Sequence, residues 1–188
     1  MPLLDHFGLV APIYERCIHA PPVDIWRRVF GLPAQTLLLD VGGGTGRVAS
    51  ALADAVKGVV IVDASEQMLR QAASRPGIDA IHASAEALPF VDASFERILM
   101  VDALHHVEDT ERSVREMLRV LAPGGRLVIE EPDWRAPRMR LIAWAEKLAM
   151  MRSHPERPDT IVRLAREGGA RARCLTPIKH NTWIVIDK

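Results

Sequence analysis

The residues most able to do chemistry begin at Asp40, which runs directly into a glycine-dense loop, Gly42-Gly43-Gly44-Thr45-Gly46. A carboxylate at the mouth of such a loop would repel a pyrophosphate but suits a cationic ligand. Gly42, Gly44 and Gly46 let the backbone turn sharply and approach a ligand with no Cβ atoms in the way. The dinucleotide fingerprint GxGxxG fails because Arg47 stands where its third glycine would be, and no Gly-Lys-Ser/Thr closes a phosphate loop. Asp63, at the end of the next apolar run, is placed to accept both ribose hydroxyls of an adenosine lying over a sheet. Farther on come His105 and His106, with Asp102 and Glu131 as weaker candidates at the same rim. Imidazole titrates near neutrality, so one of the pair could take a proton from an acceptor hydroxyl or amine. The alternative is that both histidines cap or pack the following helix. Neighbours on a chain entering a helix point in different directions, so at most one faces the reacting group. His105, nearer the strand end, is the expected one, with Asp102 available to orient it.

The elements that must position these groups are legible as periodicity. Leu37, Leu38, Leu39 and Val41 read as a strand buried on both faces. Thr45 is expected to cap a helix whose apolar stripe is Val48, Ala49, Leu52, Ala53 and Val56. Val59–Val62 form a second buried strand, and Ser65 caps a helix bearing Met68, Leu69, Ala72 and Ala73. A short third strand spans Ile78–His82, and a fourth opens at Phe95 and runs through Val101. Asp109 caps a helix with Val114, Met117, Leu118 and Leu121, which Pro123-Gly124-Gly125 is expected to stop before a fifth strand at Leu127–Ile129. Asp159 or Thr160 starts a last helix ended by Gly168-Gly169. Arg171–Thr176 and Asn181–Ile186 then read as two closing strands. Alternating strands and helices predict a doubly wound α/β sheet.

Residues 1–35 are expected to form an N-terminal cap. Ile25, Trp26, Val29 and Phe30 are at helical spacing, for a short helix packed on the sheet or roofing the pocket. Tyr14 is read as a half-buried packing residue. Residues 133–157 hold Trp134, Trp144 and several methionines and arginines, with a helix expected from about Arg138 to Met151. This segment either covers an acceptor pocket, with Trp134 and Arg138 toward the acceptor, or packs on a neighbour.

The 188 residues fit one domain, 1–188. A net charge of zero offers no electrostatic case for nucleic acid or an acidic membrane as partner. Cys17 and Cys174 lack metal-ligand spacing and are expected as reduced thiols in cytoplasm. No metal site is expected. The N-terminus does not read as a signal peptide, and no apolar run is long enough to span a membrane.

Three stretches resemble the class I S-adenosylmethionine (SAM) dependent methyltransferases. LLLDVGGGTG is similar to their first motif. HASAEALPF resembles the branch called type 11, with Ser84 in place of the usual acid. ALHHVED followed by REMLRVLAPGGRLVI matches that branch almost residue for residue. The resemblance covers roughly residues 36–132. It implies a Rossmann-like, seven-stranded mixed sheet of order 3-2-1-4-5-7-6 with strand 7 antiparallel. It implies SAM as cofactor, S-adenosylhomocysteine (SAH) as product, and Asp40 on the amino end of the methionine moiety. The implied cofactor set is Asp40, Gly42, Gly43, Gly44, Gly46, Asp63, Ala64, Met68, Ser84, Ala85, Glu86 and Val101. Met68 either floors the adenine or belongs to the core. Nucleic-acid amino-methylating enzymes often carry Asn/Asp-Pro-Pro-aromatic after the fourth strand, where this chain has Val101-Asp102-Ala103-Leu104. The expected protein is therefore a transferase, monomeric or homodimeric, that methylates O, N or C of a small molecule by in-line displacement. The alternative is a non-catalytic SAM-binding module or partner subunit. An NAD(P)-dependent oxidoreductase is disfavoured by Arg47 and Asp40.

Overall fold

The computed structural model describes residues 23–132, 157–178 and 181–188. Tyr14, Cys17, Trp134, Arg138 and the segment 133–156 lie outside the described residues. Seven strands form one sheet in the order β3-β2-β1-β4-β5-β7-β6. They are β1 (Leu37–Val41), β2 (Gly58–Asp63), β3 (Ile78–His82), β4 (Phe95–Val101), β5 (Leu121–Pro132), β6 (Arg171–Ile178) and β7 (Asn181–Asp187). β1 pairs in parallel with β2 and β4, β2 with β3, and β4 with β5. β7 runs antiparallel to both β5 and β6. This is the expected topology, antiparallel seventh strand included.

Because side chains alternate along a strand, the sheet buries two apolar faces. Leu39, Val60, Ile98, Met100, Leu127 and Ile129 face α4 (Thr110–Val120) and α5 (Pro158–Glu167). Leu38, Val59, Ile61, Leu99, Val128 and Trp183 face α1 (Val23–Phe30), α2 (Arg47–Ser50) and α3 (Glu66–Ala72). α1 packs on the sheet and does not roof the cleft. Its Trp26 lies against Trp183 with ring centroids 4.2 Å apart and stacks on Phe30. Arg97 Nε donates to the Phe30 carbonyl (3.0 Å) and Arg126 to that of Val29, so two strand arginines satisfy carbonyls at the end of α1.

Four local expectations are corrected. Gly46, at φ 75°, occupies the N-cap of α2 in place of Thr45, whose side chain is buried. The helix after the loop lasts only from Arg47 to Ser50, with a 3-10 turn at Ala53–Ala55. Val48, Ala49 and Leu52 are buried all the same. α4 ends at Val120, ahead of Pro123-Gly124-Gly125, because Leu121 turns extended and pairs with Phe95. β5 therefore begins six residues earlier than expected and crosses those glycines, with a register shift between Phe95 and Arg97. α5 starts at Pro158, with Arg157 as its N-cap. Among the described residues no helix is long and apolar enough to cross a membrane.

Trp26 has 1% of its surface exposed. Trp26→Ala is expected to cost about 3–5 kcal/mol in a urea titration. A loss under about 1 kcal/mol would show that α1 is not part of the cooperative core.

Candidate cofactor-binding site

β1 delivers Asp40 to the C-terminal edge of the sheet, between Ile61 of β2 and Leu99 of β4. The carboxyl is 1% exposed, and its Oδ1 has no hydrogen-bond partner among the described residues. Burial, then the nearby Asp63 charge, pushes its pKa up to about 8, against the opposing pull of Arg47. The loop closes directly over it. A Cβ on Gly43 would stand 2.6 Å from Asp40 Cγ, and one on Gly42 2.6 Å from the Ala103 Cβ. Gly46 serves packing instead. A Cβ there would strike Ile61 at 2.7 Å, so this glycine lets α2 settle on the sheet and does not line the cleft.

Asp63 ends β2, and its carboxylate organises two turns at once. Oδ2 accepts from the Gly44 N–H and Oδ1 from the Ser65 N–H, both at 2.8 Å. Ser65 Oγ accepts from Met68 N–H and caps α3 as expected. Met68 is buried in the core and also contributes to the cleft wall.

After β3, the Ser84 hydroxyl donates to Glu86 Oε2 and accepts from the Glu86 N–H at 3.2 Å. Glu86 Oε1 accepts from the N–H groups of Glu108 (2.8 Å) and Asp109 (3.3 Å), tying this loop to the start of α4. Burial alone would raise the Glu86 pKa, but these hydrogen bonds from Ser84 and the backbone outweigh it and hold it below the usual carboxylate range.

Beyond β4, Asp102 sits at φ 54°, a left-handed conformation that Asp tolerates better than most residues, with its N–H donating to the Glu130 carbonyl (2.8 Å). Glu131 Oε1 accepts from Ala103 N–H (3.1 Å) and Leu104 N–H (2.8 Å), and its Oε2 faces His105 Nδ1 at 2.6 Å. The expected orientation of the histidine pair is thereby corrected. His105 is buried against Glu131 away from the cleft, and His106, with its ring centroid 3.9 Å from that of His105, lines the wall. Glu131 is a brace behind the wall and does not line the cleft. Asp102 does, but the partner holding His105 is Glu131. Burial also lifts Glu130 to about 7, against a hydrogen bond from Asn181 (2.6 Å).

These residues bound a cleft of about 860 Å³. Asp40, Gly42, Gly43, Gly44, Asp63, Ala64, Met68, Ser84, Ala85, Glu86, Val101, Asp102 and His106 all line it. Arg47, His82 and Glu108 line it too, and the sequence alone does not single them out as site residues. Arg47 registers there only as a failed glycine, and the order of elements that brings β3 beside β2 is what places His82.

The two raised acids carry a stability consequence. Asp40 is neutral when folded up to about pH 8 and ionised when unfolded above about pH 4, so the stability it confers is lost as pH rises across that window. Asp40→Asn removes the ionisation. It is expected to stabilise the ligand-free protein by roughly 1–3 kcal/mol at pH 8 and hardly at all at pH 4. Equal effects at both pH values, measured by chemical denaturation, would contradict a buried neutral carboxyl.

Residues 39–129 match the family described as a methyltransferase domain. A demethylmenaquinone methyltransferase of Renibacterium salmoninarum is 42% identical over 112 residues, covering 56% of this chain and 47% of the relative. The ubiquinone/menaquinone biosynthesis C-methyltransferase UbiE of Pseudomonas putida is 36% identical over 121 residues, covering 57% and 47%. The chain spans about half the length of these relatives. Among solved structures, a SAM-dependent methyltransferase of Thermotoga maritima, described as a possible histamine N-methyltransferase, superposes with a TM-score of 0.75 at 23% identity, covering 99% of this chain and 100% of that one. The methyltransferase-domain match runs from β1 into β5, and the sheet order is the one that the resemblance to class I SAM-dependent methyltransferases implies.

Proposed function

We propose that the cleft binds SAM across the C-terminal ends of β1, β2 and β4 and that the chain transfers a methyl group to O, N or C of a small-molecule acceptor. The observation that supports this most is the set of acids that line one cleft, buried Asp40, Asp63 and Glu86 of the Ser84–Glu86 turn. The fit is chemical as well as steric. Asp40 offers an unpartnered buried oxygen to an ammonium group, and the Gly42–Gly44 backbone leaves room for close approach. Asp63 lines the cleft at the end of β2 and is assigned the ribose hydroxyls. Ser84 and Ala85 border the adenine end.

When bound, the cofactor supplies an electrophilic methyl group on a sulfonium, and that group carries the reactivity. The chain has to align the acceptor with it, exclude water and provide for the acceptor's proton. His106, on the cleft wall just past β4, is the residue assigned that proton, and Glu131 through His105 fixes the turn that presents it. The names of the R. salmoninarum and P. putida relatives make a carbon of a quinone-type acceptor the first acceptor class to test.

SAH or SAM at about a hundred times its dissociation constant should add roughly 2.7 kcal/mol, a melting shift of roughly 5–10 °C, with none from NADH. Asp63→Ala should weaken SAH binding by roughly 1.5–3 kcal/mol. No shift with either SAM-type ligand would remove the assignment. SAH binding with no methyl transfer in any acceptor pool would leave a binding module.

His106→Gln should lower turnover roughly 10²–10⁴-fold while leaving SAH affinity near normal. His105→Gln should chiefly lower thermal stability, because it strips a buried partner from Glu131. Near-normal turnover in His106→Gln would show that alignment alone suffices.

A further inference from the structure

Asp102 and Ala93 are the two non-glycine residues with a positive φ among the described residues. Ala93 lies in an exposed turn before β4, whereas Asp102, at φ 54°, lines the cleft just after that strand. A left-handed backbone costs a residue with a Cβ free energy that glycine escapes, so the surroundings have to enforce it. Here the end of β5 pins three successive N–H groups. That of Asp102 donates to the Glu130 carbonyl at 2.8 Å, and those of Ala103 and Leu104 donate to Glu131 Oε1. The glycine loop closes on the same turn from the other side, since a Cβ on Gly42 would stand 2.6 Å from the Ala103 Cβ. The wall so fixed runs from Val101, Asp102 and Ala103 to His106, Val107 and Glu108. It carries two acids and an imidazole, with no arginine or lysine among its described residues. The Asp102 charge is felt at Glu130, whose ionisation it opposes.

We propose that Asp102 determines which acceptors enter, by accepting a hydrogen bond from an uncharged or cationic N–H or O–H group at the methylated end and repelling a carboxylate or phosphate there. This rests on the methyltransferase reading above and narrows its acceptor class. Asp102 and His106 flank the same turn, with the 3-10 segment Leu104–His106 between β4 and His106, and both line the cleft. A neutral acceptor atom that bonds to the methyl carbon becomes positively charged, while sulfur keeps the electron pair of the bond that breaks. The acceptor then gives its proton to His106. A carboxylate on a fixed backbone stabilises that charge where it develops, and the imidazole removes the proton. An anionic acceptor would need a guanidinium or ammonium partner, which this wall lacks among the described residues. An amine meets the requirement, and so does a quinone-type ring in its reduced, hydroxylated form.

The test is calorimetric titration of two matched pairs of probes into the SAH-saturated protein. One pair is tryptamine and indole-3-acetate; the other is 1,4-dihydroxynaphthalene and 1,4-dihydroxy-2-naphthoate, kept anaerobic. In at least one pair the member without the carboxylate should bind at least about 10-fold tighter, and which pair shows it separates amine from hydroxyl acceptors. Asp102→Asn should shrink that ratio severalfold while SAH affinity keeps its wild-type value. Asp102→Gly should shrink it likewise and raise the melting midpoint by roughly 2–4 °C, because glycine takes the left-handed backbone without strain. Equal or tighter binding of both carboxylates overturns the proposal, as does a ratio unchanged in the variants or no binding of any probe. A fall in the melting midpoint of Asp102→Gly also overturns it, by making the carboxylate a structural brace of the turn. If the Asn variant does not fold, the wild-type ratio and the Gly variant decide. Failure of the wild type to bind SAH at all would overturn the SAM reading itself, whereas SAH binding without discrimination between the probes overturns only the role of Asp102.

Discussion

A carboxyl buried at the end of a central strand constrains everything around it. Asp40 lies between apolar neighbours on β2 and β4, beneath a loop that leaves no space for a Cβ at Gly43. A group so placed stays neutral well above the ordinary carboxylate range, and it weakens the ligand-free fold as pH rises. Packing alone would be better served by an amide or an apolar residue. The arrangement makes physical sense when a cation arrives to let the carboxyl ionise, which is the usual exchange of stability for function at a binding site.

The other acids at the strand ends divide into two kinds by what their oxygens already hold. Glu131 takes two backbone N–H groups and His105, and Glu86 takes two backbone N–H groups and the Ser84 hydroxyl. Both act as braces that hold loops from separate elements in one rim. Asp63 braces the glycine loop through Gly44 and also lines the cleft. Arg119 braces in the opposite sense: it donates to the Leu88 and Phe90 carbonyls and to Glu116, fixing the chain that leads from the Ser84–Glu86 turn to β4. The cleft is thus shaped in large part by side chain-to-backbone hydrogen bonds between distant segments, such as Gly44 to Asp63 across 19 residues and Arg119 to Leu88 across 31.

Most of this fold is legible from period and motif. The strands at Leu37, Val59 and Ile78, the Ser65 and Asp109 caps and the strand order all appear where the sequence places them. The misses have local causes. Thr45 looks like a cap by residue type, but the left-handed turn needed there selects Gly46. Pro123-Gly124-Gly125 looks like a helix stop, yet cross-strand pairing of Leu121 with Phe95 ends the helix sooner. The orientation of His105 depends on Glu131, 26 residues away, which no local pattern encodes. Arg47 escapes notice because a glycine pattern asks only which residue is missing at its position, and not what its charge could face.

The most direct measurement is calorimetric titration of SAH at pH 7 in buffers of different ionisation enthalpy. A neutral Asp40 that ionises against the ligand's ammonium group releases a proton on binding, and Asp40→Asn abolishes that release. Binding enthalpies independent of the buffer in the wild-type protein, or a release that survives in Asp40→Asn, would contradict the account.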